Sequence, residues 1–133
     1  MEKDEKNKWI EQKRIFAENE AKYLANPNDK KAWDLMYFSC QTTCELSLAQ
    51  RLRRTGFRMP KETFMDTAME AAVRIMNRYK KPKGYKIKNL SNVCMYSLKD
   101  VLDTHKAMFE NDVIPAGLSL SELTGIAIFE EEF

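Results

Sequence analysis

The stretch AWDLMYFSCQTTCELSLAQRLRRTG, residues 32–56, decides the fold. Its apolar side chains recur at steps of three and four residues, which is the spacing of one face of an α-helix. A helix that is apolar around so much of its circumference is expected to lie at the centre of a bundle. Gly56 is placed to end this helix in a left-handed conformation. The stripe consists of Trp33, Met36, Tyr37, Cys40, Cys44, Leu48 and Leu52, and it is widened by Leu35, Phe38 and Leu46.

Three other stretches show the same helical period. A first helix is predicted from near Asp4 to Leu24, a third from around Pro60, where proline is tolerated in the first turn, and a fourth after the capping residue Asn89. Their stripes are Trp9, Phe16 and Tyr23 with Ile10, Ala17 and Leu24; Phe64, Ala68, Met69, Ala72, Val73, Met76 and Tyr79; and Leu90, Val93, Cys94, Leu98, Val101, Leu102, His105 and Phe109.

The break before the central helix leaves two starts open. Either Asn28 caps the helix, or Asn26 caps a helix whose first residue is Pro27.

Composition supports a single all-α domain. A chain of 133 residues buries enough apolar surface for one core, and a content of only 4 glycines and 4 prolines favours long helices over a sheet with many turns. We therefore predict a compact bundle of about four helices in residues 1–110, followed by a short acidic C-terminal appendage in residues 111–133.

The chain is expected to be cytoplasmic. No apolar run approaches the ~20 residues that cross a bilayer, and the amino terminus opens with charged residues 2–6 instead of a secretory signal. Three cysteines, an odd number, fit reduced thiols better than a disulfide framework.

The residues that carry chemistry do not form the pattern of an active site. Cys40 and Cys44 lie one helical turn apart, but eleven residues separate Cys94 from His105, about 16 Å along a straight helix, which is too far for one zinc ion. Packing of the thiols in the core is favoured over metal binding, and no glycine stands in a phosphate-loop pattern. We expect no catalytic residues, no metal and no cofactor.

The charge pattern carries the main functional indication. Residues 51–88 contain twelve Lys or Arg against three Asp or Glu, a net charge of +9, whereas the rest of the chain carries −7 for a total of +2. A basic middle indicates an anionic partner, because cations neutralise phosphates while aromatic and amide groups contact unpaired bases. Simple solvation of a basic linker is the alternative. The candidate binding residues are Arg51, Arg53, Arg54, Arg58, Lys83, Tyr85, Lys86, Lys88, Asn89, Asn92, Tyr96 and Lys99.

The segment order and the stretch from Thr63 to Leu102 resemble the helical domain of bacterial sigma factors that binds the polymerase clamp and opens promoter DNA. The likeness lies in a helix of the type Phe64–Tyr79, the turn Pro82–Ile87 (PKGYKI) and the capped helix that follows. The entry Leu24–Leu35 also resembles that of phage-encoded and divergent sigma-like proteins. About two thirds of the chain is covered.

Two departures from the family pattern stand in the sequence. Residues 63–67 replace the acidic and Gln-Glu clamp-contact motif, and the aromatic positions that capture promoter bases hold Ile87, Leu90, Val93 and Cys94. Tyr85 or Tyr96 would have to substitute for those rings.

The resemblance implies a non-catalytic sigma-like transcription protein whose partners are RNA polymerase, DNA or both. Other phage proteins are a further class of expected partner, and no membrane is expected to be one. If the chain is phage-encoded, its expected location is the host cytoplasm or the virion. The rival hypothesis is a structural or adaptor protein, such as a virion or assembly component, that keeps a sigma-like helical fold. A third is a helical nucleic-acid-binding protein unrelated to transcription.

Overall fold

The central element of the structure is the helix that contains the stretch quoted above. The computed structural model describes residues 3–80 and 85–106, and within them the chain forms four helices and no strand. In chain order these are α1 (Lys3–Ala25), α2 (Lys30–Thr55), α3 (Lys61–Arg78) and α4 (Leu90–Thr104). The predicted all-α bundle is confirmed.

Helix α2 packs against α1, α3 and α4, so its predicted central position is confirmed. Met36, Cys40, Cys44 and Leu48 are fully buried along one side of it. The core is completed by Phe16 from α1, by small alanines and Ile75 from α3, and by the apolar stripe of α4. Burial of this apolar surface is the main source of stability of such a bundle.

Some of the apolar residues predicted for the stripe of α2 and its widened edges are exposed. Leu35 is 39% exposed and Phe38 is 67% exposed, and Trp33 is 40% exposed with its ring stacked on Tyr37. Ile10 of α1 and Met69 and Val73 of α3 are also exposed. The exposed apolar residues of α2 are confined to its first turns, residues 33–38, whereas no residue from 39 to 52 is exposed.

The start of α2 differs from both predicted alternatives. Asp29, rather than Asn26 or Asn28, is the cap: its backbone is extended and its side chain accepts a hydrogen bond from the Lys31 amide at 3.3 Å. Pro27 and Asn28 form the turn before it. The end of α2 is as predicted, because Gly56 has φ 74° and its N–H donates to the Leu52 carbonyl.

The other helix ends follow the sequence signals. Pro60 stands directly before the first residue of α3, and Asn89 caps α4 by accepting a hydrogen bond from the Asn92 amide at 3.0 Å. The predicted C-terminal appendage and Phe109 lie outside the described residues. None of the helices in residues 3–80 and 85–106 has the length and apolar content needed to cross a bilayer.

Substitution of Leu48 by Ala should lower the free energy of unfolding by about 2–5 kcal/mol, because it leaves a cavity at a fully buried position. Urea denaturation followed by circular dichroism measures the change. Phe38→Ala is the control on the same helix, with an expected loss below about 1 kcal/mol because the ring is mostly exposed. Equal losses in the two variants would contradict the described burial of α2.

Candidate nucleic-acid interface

A buried carboxylate holds the connection between α3 and α4 against α1. Glu20 is only 2% exposed, and its Oε2 accepts hydrogen bonds from the Tyr79 hydroxyl and, at 3.0 Å, from the Ile87 amide. Tyr79, at the end of α3, makes edge-to-face contacts with Tyr23 and Tyr85 at centroid distances of 5.7 and 5.1 Å. The connection therefore has a defined position on both sides of residues 81–84, which lie outside the described ranges.

Burial, followed by the hydrogen bond to Glu20, raises the pKa of Tyr79 well above its ordinary value. The hydroxyl therefore stays protonated at neutral pH and can remain a donor to the carboxylate. Because hydrogen bonds to a charged acceptor are stronger than neutral ones, this contact is suited to fixing the chain.

The connection alternates between buried and exposed side chains. Tyr85 and Ile87 are half-buried, whereas Lys86 and Lys88 are exposed. Among the described residues, no carboxylate lies within ion-pair distance of either lysine. The anchoring of Ile87 thus presents two lysines to solvent directly before the start of α4.

The first turns of α4 follow directly after these lysines. Asn92, Tyr96 and Lys99 are spaced four and three residues apart and therefore share one face of the helix. Tyr96 is 50% exposed, and Asn92 and Lys99 are half-buried. Exposed Asp100 and Asp103 follow, so the basic character ends within the second half of α4.

Six of the twelve candidate residues predicted from the sequence lie on the segment before α4 or on one face of that helix. We call this set the lysine surface: Lys86, Lys88, Asn89, Asn92, Tyr96 and Lys99. Tyr85 lies beside it, but its ring packs against Tyr79, so it serves to anchor the connection rather than to present a free ring. Lys83 lies outside the described residues.

The four arginines do not join the lysine surface. Arg53, Arg54 and Arg58 are exposed at the turn between α2 and α3, whereas the lysine surface follows α3. The 18 residues of α3 span about 27 Å, which places the two groups at opposite ends of that helix. We call Arg53, Arg54 and Arg58 the arginine end.

The placement of Arg51 corrects its assignment to an exposed binding group. Arg51 is 7% exposed, and its guanidinium donates to the Ser47 hydroxyl at 2.7 Å. It lies on the buried side of α2, one turn after Ser47, so its side chain is directed into the bundle. A phosphate or a partner protein cannot reach it in this conformation.

The cysteines are core residues, as predicted from their spacing. Cys40, Cys44 and Cys94 are each 0% exposed, and Cys40 lies 3.9 Å from the sulfur of Met76. His105 lies on the surface, with its Nε2 3.1 Å from a Glu70 oxygen. Within the described residues, no group of three or more histidine, cysteine or acidic side chains is placed to hold a metal ion.

Two residues of this region were missed by sequence reasoning. Glu20 and Lys13 lie on α1 at helical spacing with Trp9 and Phe16, so both belong to the stripe that faces the bundle. A charged residue on an apolar stripe indicates that its charged group is satisfied by a hydrogen-bonding or ion-pairing group within the same fold. For Glu20, those partners are Tyr79 and the Ile87 amide.

Comparison with protein-family models, with curated proteins and with solved structures gave no match. The fold and the site together define an all-α bundle with two separated basic ends.

Replacement of Glu20 by Gln should lower the free energy of unfolding by about 1.5–3 kcal/mol, because two buried hydrogen bonds lose their charged acceptor. It should also speed hydrogen exchange at the Ile87 amide, which NMR resolves. Glu18→Gln is the matched control on the same helix, since Glu18 is exposed and its ion pair among the described residues is with Arg14. Unchanged exchange at Ile87 in the Glu20→Gln variant would show that Glu20 does not anchor the connection.

The three thiols should react with a disulfide reagent such as DTNB at pH 7.5 only as the chain unfolds. Their sulfurs are inaccessible, and burial raises the pKa of the Cys40 thiol well above its ordinary value. Adding urea through the unfolding transition should release all three thiols together. A thiol that reacts fully within seconds in the folded protein would contradict this packing.

Proposed function

We propose that this chain is a non-catalytic, sigma-like transcription protein that binds nucleic acid at the lysine surface. The observation that carries the proposal is the fixed exposure of Lys86 and Lys88 beside the start of α4, with no carboxylate of the described residues paired to them. Such ammonium groups neutralise backbone phosphates and release counterions.

The neighbouring side chains suit an unpaired strand better than a rigid duplex. Tyr96 is half exposed, which leaves a ring face on which a base can stack. Asn92 and Lys99 on the same face supply hydrogen-bonding groups for base edges or phosphates. The sigma-factor resemblance supports the same expectation, because that domain acts on melted promoter DNA.

The arginine end supports a separate role in this proposal. It lies about 27 Å from the lysine surface along α3, so one short nucleic-acid segment does not have to engage both groups. In the sigma-like hypothesis, Arg53, Arg54 and Arg58 contact an acidic surface of RNA polymerase. Arginine suits such a contact because its guanidinium forms paired hydrogen bonds with carboxylates.

The double variant Lys86→Ala/Lys88→Ala should bind a fluorescein-labelled single-stranded oligonucleotide more weakly than wild type. Its plot of log affinity against log salt should be shallower by about 0.7 for each lysine that contacts a phosphate. Fluorescence anisotropy between about 50 and 200 mM KCl measures both quantities. The control is the triple variant Arg53→Ala/Arg54→Ala/Arg58→Ala, which removes more charge at the other end of α3.

The two variants should separate the two partners. The lysine variant should keep its capture of purified RNA polymerase and lose oligonucleotide binding, whereas the arginine variant should do the reverse. If both variants weaken oligonucleotide binding equally, the effect of charge is diffuse, and binding at the lysine surface alone is contradicted.

One observation favours the adaptor alternative. Trp33, Leu35 and Phe38 expose apolar area in the first turns of α2. Apolar surface of this kind is common where proteins bind proteins. If wild-type protein shows no salt-dependent binding of nucleic acid, either alone or with polymerase, a structural or adaptor role replaces the proposed one.

A further inference from the structure

A cavity of about 490 Å³ lies between α1 and the start of α4. Lys13, Phe16 and Ala17 line it from α1, and residues 86–91 line it from the connection and the first turn of α4. Lys86 and Lys88 therefore border the cavity as well as belonging to the lysine surface. With Lys13, three lysines line it, against the single carboxylate of Glu20.

The backbone of α4 adds positive potential at the same place. The amides of Leu90 and Ser91 donate to no acceptor among the described residues, because the first turn of a helix lacks intrahelical partners. The first turn also carries no acidic residue that would use this potential. The N-terminal end of α4 thus presents backbone N–H donors without acceptors and the positive end of the helix dipole.

Ser91 gives an independent indication of a ligand. It is 5% exposed and lines the cavity, yet its Oγ has no hydrogen-bond partner among the described residues. A buried hydroxyl without a partner is destabilising, so such a group is retained more readily where it serves a ligand. A serine hydroxyl can donate a hydrogen bond to an anionic oxygen, and the lining of the same cavity contains three lysines.

Glu20 does not cancel this arrangement. Its Oε2 already accepts hydrogen bonds from the Tyr79 hydroxyl and the Ile87 amide, and the side chain is 2% exposed. Those donors offset part of its negative charge on the side away from solvent. The formal charge of the lining is +2 when three lysines and one glutamate are counted.

We propose that this cavity binds one phosphate group that belongs to a nucleotide unit. The phosphate lies between Lys13, Lys86 and Lys88 and accepts hydrogen bonds from the Ser91 hydroxyl and the free amides of Leu90 and Ser91. A volume of about 490 Å³ exceeds what a phosphate alone fills and lies in the range of small-molecule sites. Ala17 and Ile87 offer apolar contacts to the attached nucleoside.

The phosphate can come from a free mononucleotide or from the end of a strand that runs along the lysine surface. Only the second source rests on the proposed function. Binding of a mononucleotide stands by itself, because it needs the cavity but not the exposed face of α4.

The test uses the full chain with four probes: inorganic phosphate, AMP, and one short single strand with and without a 5′-phosphate. Titration of AMP followed by ¹H–¹⁵N NMR should shift the Leu90 and Ser91 amides saturably. Ser91→Ala should weaken the binding of AMP by about tenfold or more, because a hydrogen bond to a charged group is lost. Lys13→Ala should also weaken it, and this residue lies outside the lysine surface.

The controls separate a built site from general attraction. Ser91→Thr keeps the hydroxyl and should keep most of the affinity, whereas Lys61→Ala, at the exposed start of α3, should leave AMP binding unchanged. Thermal unfolding of each variant checks its fold, and Lys13→Ala serves as the second probe if Ser91→Ala unfolds. If the affinity for AMP or phosphate is the same in wild type, Ser91→Ala and Lys13→Ala, the proposal is overturned.

The strand probes distinguish the two sources of phosphate. Tighter binding of the 5′-phosphorylated strand, with a gain that Ser91→Ala abolishes, supports a strand end in the cavity. AMP binding with no strand binding supports a free nucleotide and removes the proposed function alone. If strand binding depends on Lys86 and Lys88 but AMP does not shift the Ser91 amide signal, the proposed function stands and phosphate binding in the cavity is overturned.

Discussion

The hydrogen bonds to the buried carboxylate of Glu20 are the contact on which the rest of the site depends. They join three elements that are far apart in sequence: α1, the end of α3 and the segment that leads into α4. A buried charge is costly unless donors satisfy it, so Glu20 favours the single arrangement in which Tyr79 and the Ile87 amide both reach it. Because Ile87 is held in this way, the backbone that carries the exposed Lys86 and Lys88 has a defined position.

The same contact explains why the cavity exists where it does. Glu20 draws the segment before α4 towards α1, and Lys13 lies two helical turns earlier on the same side of α1. The first turn of α4 then faces α1 with its unused amides and Ser91. One buried interaction therefore fixes the segment that carries Lys86 and Lys88 and positions the start of α4 beside α1.

Helix α3 sets the second constraint, since it keeps the two basic ends of the molecule apart. The turn after α2 is short and the helix is 18 residues long, so the arginine end and the lysine surface lie at opposite ends of α3. The sum of charge along residues 51–88 suggested a single basic region. The linear sequence counts both groups together, whereas the fold places a rigid helix between them.

Local features were predictable from the sequence, and features that depend on distant partners were not. The period of the apolar residues predicted four helices, and Gly56 and Asn89 marked ends because each satisfies its own neighbouring backbone. The predicted cap of α2 was wrong because Asn26, Asn28 and Asp29 are all residue types that cap helices. Only the backbone angles select Asp29. The exposure of Phe38 and the burial of Arg51 depend on where neighbouring helices lie, which helical period does not encode.

The assembly of the cavity from α1 and the start of α4 has a thermodynamic consequence. Its walls come from residues 13–20 and 86–91, which meet only in the folded chain. Any molecule that the cavity holds must therefore raise the melting temperature by mass action, with about 2.7 kcal/mol of added stability when its concentration is one hundred times its dissociation constant. A panel of small metabolites can then be ranked by the heat resistance each confers, before any of them has been assigned to this protein.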